Sequence, residues 1–261
     1  MEKIFDSHSH YNNSAFTEDY DALMQHLKNS GVGYVMNCGS SVEASRKAME
    51  QSQMSDFMCF SAGIHPLDIE PETCDADFEE IEKMAANPKC KAIGEIGLDY
   101  YWSRDHVAEQ KECFISQLEL ARRLGLPAVI HDREAHGDCL EIVKGYTDVR
   151  ILFHCYSGSV EMLREILKMG MYISMGGVVT FKNARKTVEA IEALAEFPDG
   201  LSRLLLETDC PYLAPVPHRG ELNHSGLMVN TAEKIAEITG LTKEEIEAKT
   251  FDNAISFYNM K

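Results

Sequence analysis

Short apolar runs recur along the chain, separated by longer amphipathic stretches, and this alternation limits the possible folds more than any other feature of the sequence. The runs are Ile4 to His10, Gly33 to Cys38, Phe57 to His65, Ala92 to Leu98, Ala128 to His131, Ile151 to Cys155, Tyr172 to Gly176 and Leu204 to Asp209. Most are continuously apolar, as expected of parallel strands buried on both faces. Between them lie helical stripes with clear stops. Tyr20, Leu23, Met24 and Leu27 form one that closes at Gly31, and Phe114, Leu118 and Ala121 form another that ends near Gly125, ahead of Pro127. Thr242 and Glu245 make a capping box for a last helix through Ile246, Phe251 and Ile255. Eight strands with intervening helices predict an α/β fold, a single (β/α)8 TIM-type barrel over residues 1–261, with a doubly wound open sheet as the competing arrangement.

A chain of 261 residues, 44% hydrophobic and 26% charged, has the size and composition of one such globular barrel. No apolar run reaches the roughly 18 residues of a membrane helix, and Met1-Glu2-Lys3 leads straight into the first strand, so a cytoplasmic location is expected. The cysteines are scattered and form no C-x-x-C pair, which predicts reduced, mostly buried thiols. A net charge of -17 argues against a general basic surface for nucleic acid, though not against a local phosphate site. Bound divalent cations would offset much of that charge locally.

In a barrel of this kind the chemistry sits at the C-terminal ends of the strands. His8 and His10, two apart on a strand, project to the same side, and they end the first strand. An isolated H-x-H is more often a pair of structural histidines. Here, however, His65 ends the third strand, Glu95 lies near the end of the fourth, and His131, His154 and Asp209 end the fifth, sixth and eighth. So many imidazoles and carboxylates at one end of a barrel are costly to bury unless they bind metal or one another. His8, His10, Glu95, His131, His154 and Asp209 exceed what one open catalytic ion needs, which points to two divalent ions with Glu95 as the shared ligand. Mixed imidazole and carboxylate donors suit Zn²⁺, Mn²⁺ or Fe²⁺ better than Mg²⁺, which prefers oxygen.

Six segments carry a resemblance: Asp6-Ser7-His8-Ser9-His10, Gly63-Ile64-His65-Pro66, Gly94-Glu95-Ile96-Gly97-Leu98-Asp99-Tyr100, Pro127-Ala128-Val129-Ile130-His131, Phe153-His154-Cys155-Tyr156-Ser157-Gly158 and Glu207-Thr208-Asp209-Cys210-Pro211. On these the chain resembles the TatD-type metal-dependent deoxyribonucleases of the amidohydrolase-like superfamily over nearly its whole length. The resemblance implies a TIM-type barrel, two divalent ions (Zn, Mn or Mg) held by the six ligands named above, and hydrolysis of DNA phosphodiesters from the 3′ end by a metal-activated water. It departs after the eighth strand, where the family often has Arg-Gly-x-x-Asn-Glu-Pro and this chain reads Arg219-Gly220-Glu221-Leu222-Asn223-His224-Ser225.

Among the catalytic candidates, Asp209 either takes the proton of the attacking water or serves as a ligand only, and Glu95 bridges. His65, Arg133 and Arg219 are candidates for substrate phosphate, and Tyr100, followed by Tyr101 and Trp102, for stacking on an unpaired base. The expected partner is DNA, single-stranded or at 3′ ends, with no membrane and no obligate protein partner. The competing readings are hydrolysis of a small ester or amide, or of an aminoacyl-RNA, on the same two-metal site. A noncatalytic scaffold would be marked by lost ligands, and none is missing.

Overall fold

The computed structural model describes residues 4–69, 74–102 and 104–260, so Met1-Glu2-Lys3 and the last residue of the proposed domain lie outside it. Eight parallel strands form one sheet in sequence order: β1 (Ile4–Ser9), β2 (Val32–Cys38), β3 (Met58–Ala62), β4 (Cys90–Asp99), β5 (Ala128–Arg133), β6 (Ile151–Phe153), β7 (Tyr172–Met175) and β8 (Leu204–Leu206). Helices α1 (Tyr20–Asn29), α2 (Val42–Gln53), α3 (Cys74–Ala85), α4 (Val107–Leu124), α5 (His136–Val143), α6 (Val160–Lys168) and α7 (Arg185–Glu196) alternate with the strands, and α8 (Met228–Thr239) and α9 (Lys243–Phe257) follow the last one. This is a nearly closed TIM-type barrel.

Local chemistry sets the boundaries. Ser41 and Ser159 cap α2 and α6 by accepting from Ala44 and Met162 N–H, and α9 opens with the Thr242–Glu245 capping box. α4 stops at Gly125, whose φ of 66° suits glycine. Every strand gives a residue to the barrel interior, and β2 gives two: Phe5, Met36, Cys38, Cys59, Ala92, Val129, Leu152, Tyr172 and Leu205. Ala254, Phe257 and Tyr258 of α9 and its end pack against that layer and plug the bottom of the barrel. A larger apolar layer joins the outer face of the strands to the helices. The described cysteines are free thiols, all buried except Cys155, as the sequence predicts.

Among the described residues β8 and β1 share no ladder, and side-chain bonds together with a few backbone bonds close the seam. Ser7 Oγ donates to Leu206 O (2.7 Å), and Asp209 and His10 N–H donate to His8 O (3.0 Å) and Cys210 O (2.9 Å). Asp6 Oδ2 accepts from the hydroxyls of Thr208 (2.7 Å) and Ser225 (2.6 Å). Ser225 belongs to the stretch that departs from the family pattern, so that stretch helps to hold the barrel shut. Asn223 within it donates to Thr208 O (2.9 Å) and Tyr212 O (2.6 Å). No helix among the described residues is long and apolar enough to cross a membrane.

Candidate metal centre

Two slips in strand pairing aim the key side chains. Asp6 pairs with Val35 and Ser9 with Asn37, so β1 advances three residues while β2 advances two. Strict alternation would put Phe5, which faces the barrel interior, and His8 on opposite faces. The extra residue turns both His8 and His10 inward. β4 repeats the device between Ile93 and Ile96, paired with Ala128 and Ile130, and this brings Glu95 onto the same side as Ala92.

Glu95 stands at the centre of the imidazoles. Its Oε2 lies 3.4 Å from both His8 Nε2 and His10 Nε2, and its Oε1 lies 2.8 Å from both His131 Nδ1 and His154 Nε2. Asp209 Oδ1 approaches His10 Nε2 at 3.4 Å and His8 Nε2 at 3.8 Å. His65 Nε2 is 3.8 Å from Glu95 Oε1. The structure therefore gathers all six residues expected to be ligands, together with His65.

Burial alone would raise the Glu95 carboxyl, but the imidazoles of His154 and His8 and bonds from His10 and His131 outweigh it and hold the carboxyl well below its usual range. The Nε2 atoms of His8 and His10 are 3.1 Å apart, so one proton at most fits between them. Burial, then His154, lowers His8. Burial opposes a charge on His10 too, but the bonds it donates to Asp209 and Glu95 overcome that and raise His10 to about 10.

The donor set fits a cation. His10 Nδ1 lies 3.1 Å from Cys38 O, which can only accept, so Nδ1 keeps its proton and Nε2 is the nitrogen that would give up its own to ligate. Converging imidazole nitrogens and carboxylate oxygens of this kind suit a borderline divalent ion. His8, His10 and Glu95 form one group of ligand atoms close enough to share an ion, His8, His154 and Asp209 a second, and His65, Glu95 and His131 a third.

The centre lies at the floor of a cavity of about 860 Å³ lined from the C-terminal ends of all eight strands. Arg133 lines it and is the only lysine or arginine among the described lining residues. Its guanidinium packs over the rings of Tyr101 (4.0 Å) and Trp102 (5.5 Å). Two expected substrate contacts are not in the lining. Tyr100 is packed against the core with its hydroxyl donated to Asp138 (2.7 Å), so of the three consecutive aromatics Trp102, 65% exposed, is the one in the lining, together with Tyr156 and Tyr212 from other loops. Arg219 is spent on the Phe181 ring (3.8 Å) and on Ala214 O (3.3 Å).

The structure also adds residues that sequence reasoning passed over. Glu207, fully buried, accepts from Ser174 Oγ through one oxygen and places the other 3.8 Å from His154 Nδ1. Asp99 Oδ2 is 3.0 Å from His131 Nε2. Both lie within matching segments, two or four residues from a candidate ligand, which was the available signal. Gln110 and Gln117, seven apart on one face of α4, each clamp a backbone from both sides. Gln110 bonds Asp99 N–H (3.0 Å) and O (3.2 Å), and Gln117 bonds Ile64 N–H (2.8 Å) and O (3.0 Å), next to His65.

A parallel barrel with an imidazole and carboxylate centre at the C-terminal ends of its strands defines a metal-dependent hydrolase. The profile of the family described as TatD related DNase matches residues 5–259, and the chain belongs to that family. It is 39% identical to the uncharacterized metal-dependent hydrolase YabD of Bacillus subtilis (strain 168), over 96% of this chain and 97% of that protein. It is 32% identical to the uncharacterized metal-dependent hydrolase YcfH of Escherichia coli (strain K12), over 98% and 96%. The fold matches the crystal structure of YJJV, a TatD homolog from Escherichia coli K12, with a TM-score of 0.89, 24% identity and coverage of 100% and 99%.

Proposed function

We propose that this centre hydrolyses DNA phosphodiester bonds, removing nucleotides stepwise from single-stranded 3′ ends. The observation that carries the reading is the split of Glu95: one oxygen faces His8 and His10 and the other faces His131 and His154, which suits two cation positions sharing one carboxylate. Asp209 completes the set of six ligands. Two divalent ions so held, Zn²⁺, Mn²⁺ or Mg²⁺, would make water a stronger nucleophile, polarise a phosphoryl oxygen and stabilise the leaving oxygen.

The chain's own residues do the remaining work. Asp209 is kept ionised, because burial is outweighed by the bond from His10 together with the imidazoles of His154 and His8, and its carboxylate can take the proton of the attacking water. His65 Nδ1 accepts from Leu67 N–H (3.1 Å), which puts the ring proton on Nε2, and burial lowers the ring to about 3, so it stays neutral at working pH. That Nε2–H is a donor for a phosphate or leaving oxygen. Arg133 offers a planar fork to phosphate, and Trp102 offers a face to the terminal base. The family's description as DNases supports the choice of DNA.

One observation favours a second reading. With a net charge of -17 and Arg133 as the only described lysine or arginine in the lining, the cavity also suits a small ester or amide, or an aminoacyl-RNA end. The two separate when metal-loaded protein is incubated with end-labelled single-stranded DNA, duplex DNA, RNA and a panel of small esters, with and without a chelator. The expected result is chelator-sensitive shortening of single-stranded DNA one nucleotide at a time from the 3′ end. Ester turnover without DNA shortening, or rapid internal cutting of covalently closed circles, would overturn the exonuclease reading.

A further inference from the structure

Asp99 ends β4 four residues beyond Glu95, and its side chain is almost fully buried although it touches both the metal centre and the cavity mouth. Its two oxygens point at different things. Oδ2 lies 3.0 Å from His131 Nε2, and Oδ1 accepts the backbone N–H groups of Tyr101 (2.9 Å) and Trp102 (3.4 Å). The backbone of Asp99 is itself held on both sides by Gln110 of α4. Such a placement is built, not incidental.

An ionised carboxylate only accepts hydrogen bonds, so the His131 nitrogen that faces Asp99 must carry a proton. The lone pair needed for a ligand is then confined to the other nitrogen. That is Nδ1, 2.8 Å from Glu95 Oε1 and 3.4 Å from His154 Nε2, on the side where the candidate ligands converge. With the proton on Nδ1 instead, His131 would present an N–H to the centre and could not ligate. Nδ1 also faces a carboxylate, Glu95 Oε1, but on the side where a cation shared with Glu95 would displace its proton, whereas Asp99 holds the proton on Nε2. Cys38 O makes the same choice for His10, but a backbone carbonyl has no second function at the cavity mouth.

We propose that Asp99 is a positioning residue with two linked roles: it selects the His131 tautomer whose Nδ1 can hold a divalent cation, and its other oxygen ties that selection to the placement of Trp102 at the mouth of the cavity. The proposal rests on the metal-centre reading above and not on the choice of substrate. Occupation of the centre draws on His131, His131 is bonded to Asp99, and Asp99 holds the loop whose aromatic rings pack with Arg133. An ion and a substrate ring are therefore felt by one carboxylate.

Asp99→Asn separates the roles. The amide oxygen can still accept from Tyr101 and Trp102, while the amide NH₂ turned to His131 Nε2 makes that nitrogen the acceptor and moves the ring proton to Nδ1. Trp102 is the only tryptophan in the chain, so its emission reports on the loop directly. The test is a zinc titration of the full chain against a competing chelator, followed by tryptophan fluorescence, with no nucleic acid present. In the unsubstituted protein zinc should change the Trp102 emission. Nitrogen-15 spectra of the zinc form should show His131 metal-bound at Nδ1 and protonated at Nε2. In Asp99→Asn the weaker zinc affinity should fall by about 10- to 100-fold, with the circular dichroism retained and the Trp102 response to zinc lost. Unchanged zinc affinity together with an unchanged fluorescence titration would overturn the proposal. So would a zinc form in which His131 binds through Nε2, a result that needs no variant to fold. Absence of zinc binding by the unsubstituted protein would overturn the metal centre and this proposal with it.

Discussion

His65 shows how a single residue takes its role from one backbone bond. The Leu67 N–H occupies Nδ1, burial keeps the ring neutral, and the remaining Nε2–H faces Glu95 and the cavity. His65 is thus better suited to donate to substrate than to ligate. His65→Ala should lower kcat by roughly 10²- to 10⁴-fold, the range for a positioned proton donor, while the bound metal measured by mass spectrometry stays unchanged. Loss of metal in that variant would make His65 a ligand instead. At this scale the candidate ligands were legible in the sequence because each is a histidine or carboxylate at or near a strand end. The aromatics were not: three follow one another, and sequence cannot say which packs inward. Tyr100 does, because its hydroxyl finds Asp138, and Trp102 is left facing the cavity. Asp99 and Glu207 were written in the matching segments, but their function depends on which imidazole nitrogen they meet, and only coordinates give that.

At the scale of elements, the sequence marked all eight strands and the alternation with helices, since parallel strands buried on both faces read as apolar runs. Several ends were read too long, while β4 and β5 run on to Asp99 and Arg133, past where they were read to stop. β3 stops at Ala62, β6 at Phe153 and β8 at Leu206, so His65, His154 and Asp209 lie beyond the ladder, where the chain turns toward the centre. Cys155 and Asp209 have φ of 44° and 55°, a local turn that an apolar run does not announce. The pairing slips in β1 and β4 were equally hidden, because a bulge changes register without changing composition. Gly97, regularly paired with His131 just beyond the slip in β4, shows how closely the two strands approach. Its φ is 143°, and a Cβ there would meet His131 O at 2.0 Å. Gly97→Ala must therefore push β4 and β5 apart beside His131. It should cost about 2 kcal/mol or more of stability in a urea titration and weaken the metal bound through His131. Full stability with full metal affinity would show that the strands part without consequence.

At the scale of the whole molecule, the barrel follows from the count and order of strands, whereas its closure does not. The seam depends on Asp6, Ser7, Thr208 and Ser225, polar residues whose pairing spans the length of the chain. The charge balance also acts at this scale. A net charge of -17 with Arg133 as the described lining cation leaves few phosphate contacts to make. Each such contact on a single strand adds roughly 0.7 to the slope of log affinity against log salt, so binding of single-stranded DNA should show a slope of only about one or two. A slope like that of a protein with many phosphate contacts would reveal an extended basic groove elsewhere. The central claim is that Glu95 joins two cation positions, and the metal content of purified variants tests it most directly. His154→Ala removes one neutral donor from one position, while His8 and His10 still serve the other. Glu95→Ala removes a donor from both and leaves the positive charges less neutralised. With the fold checked by circular dichroism, mass spectrometry should find about two ions in the unsubstituted chain, about one in His154→Ala and close to none in Glu95→Ala. Two tightly held ions in Glu95→Ala would contradict the account.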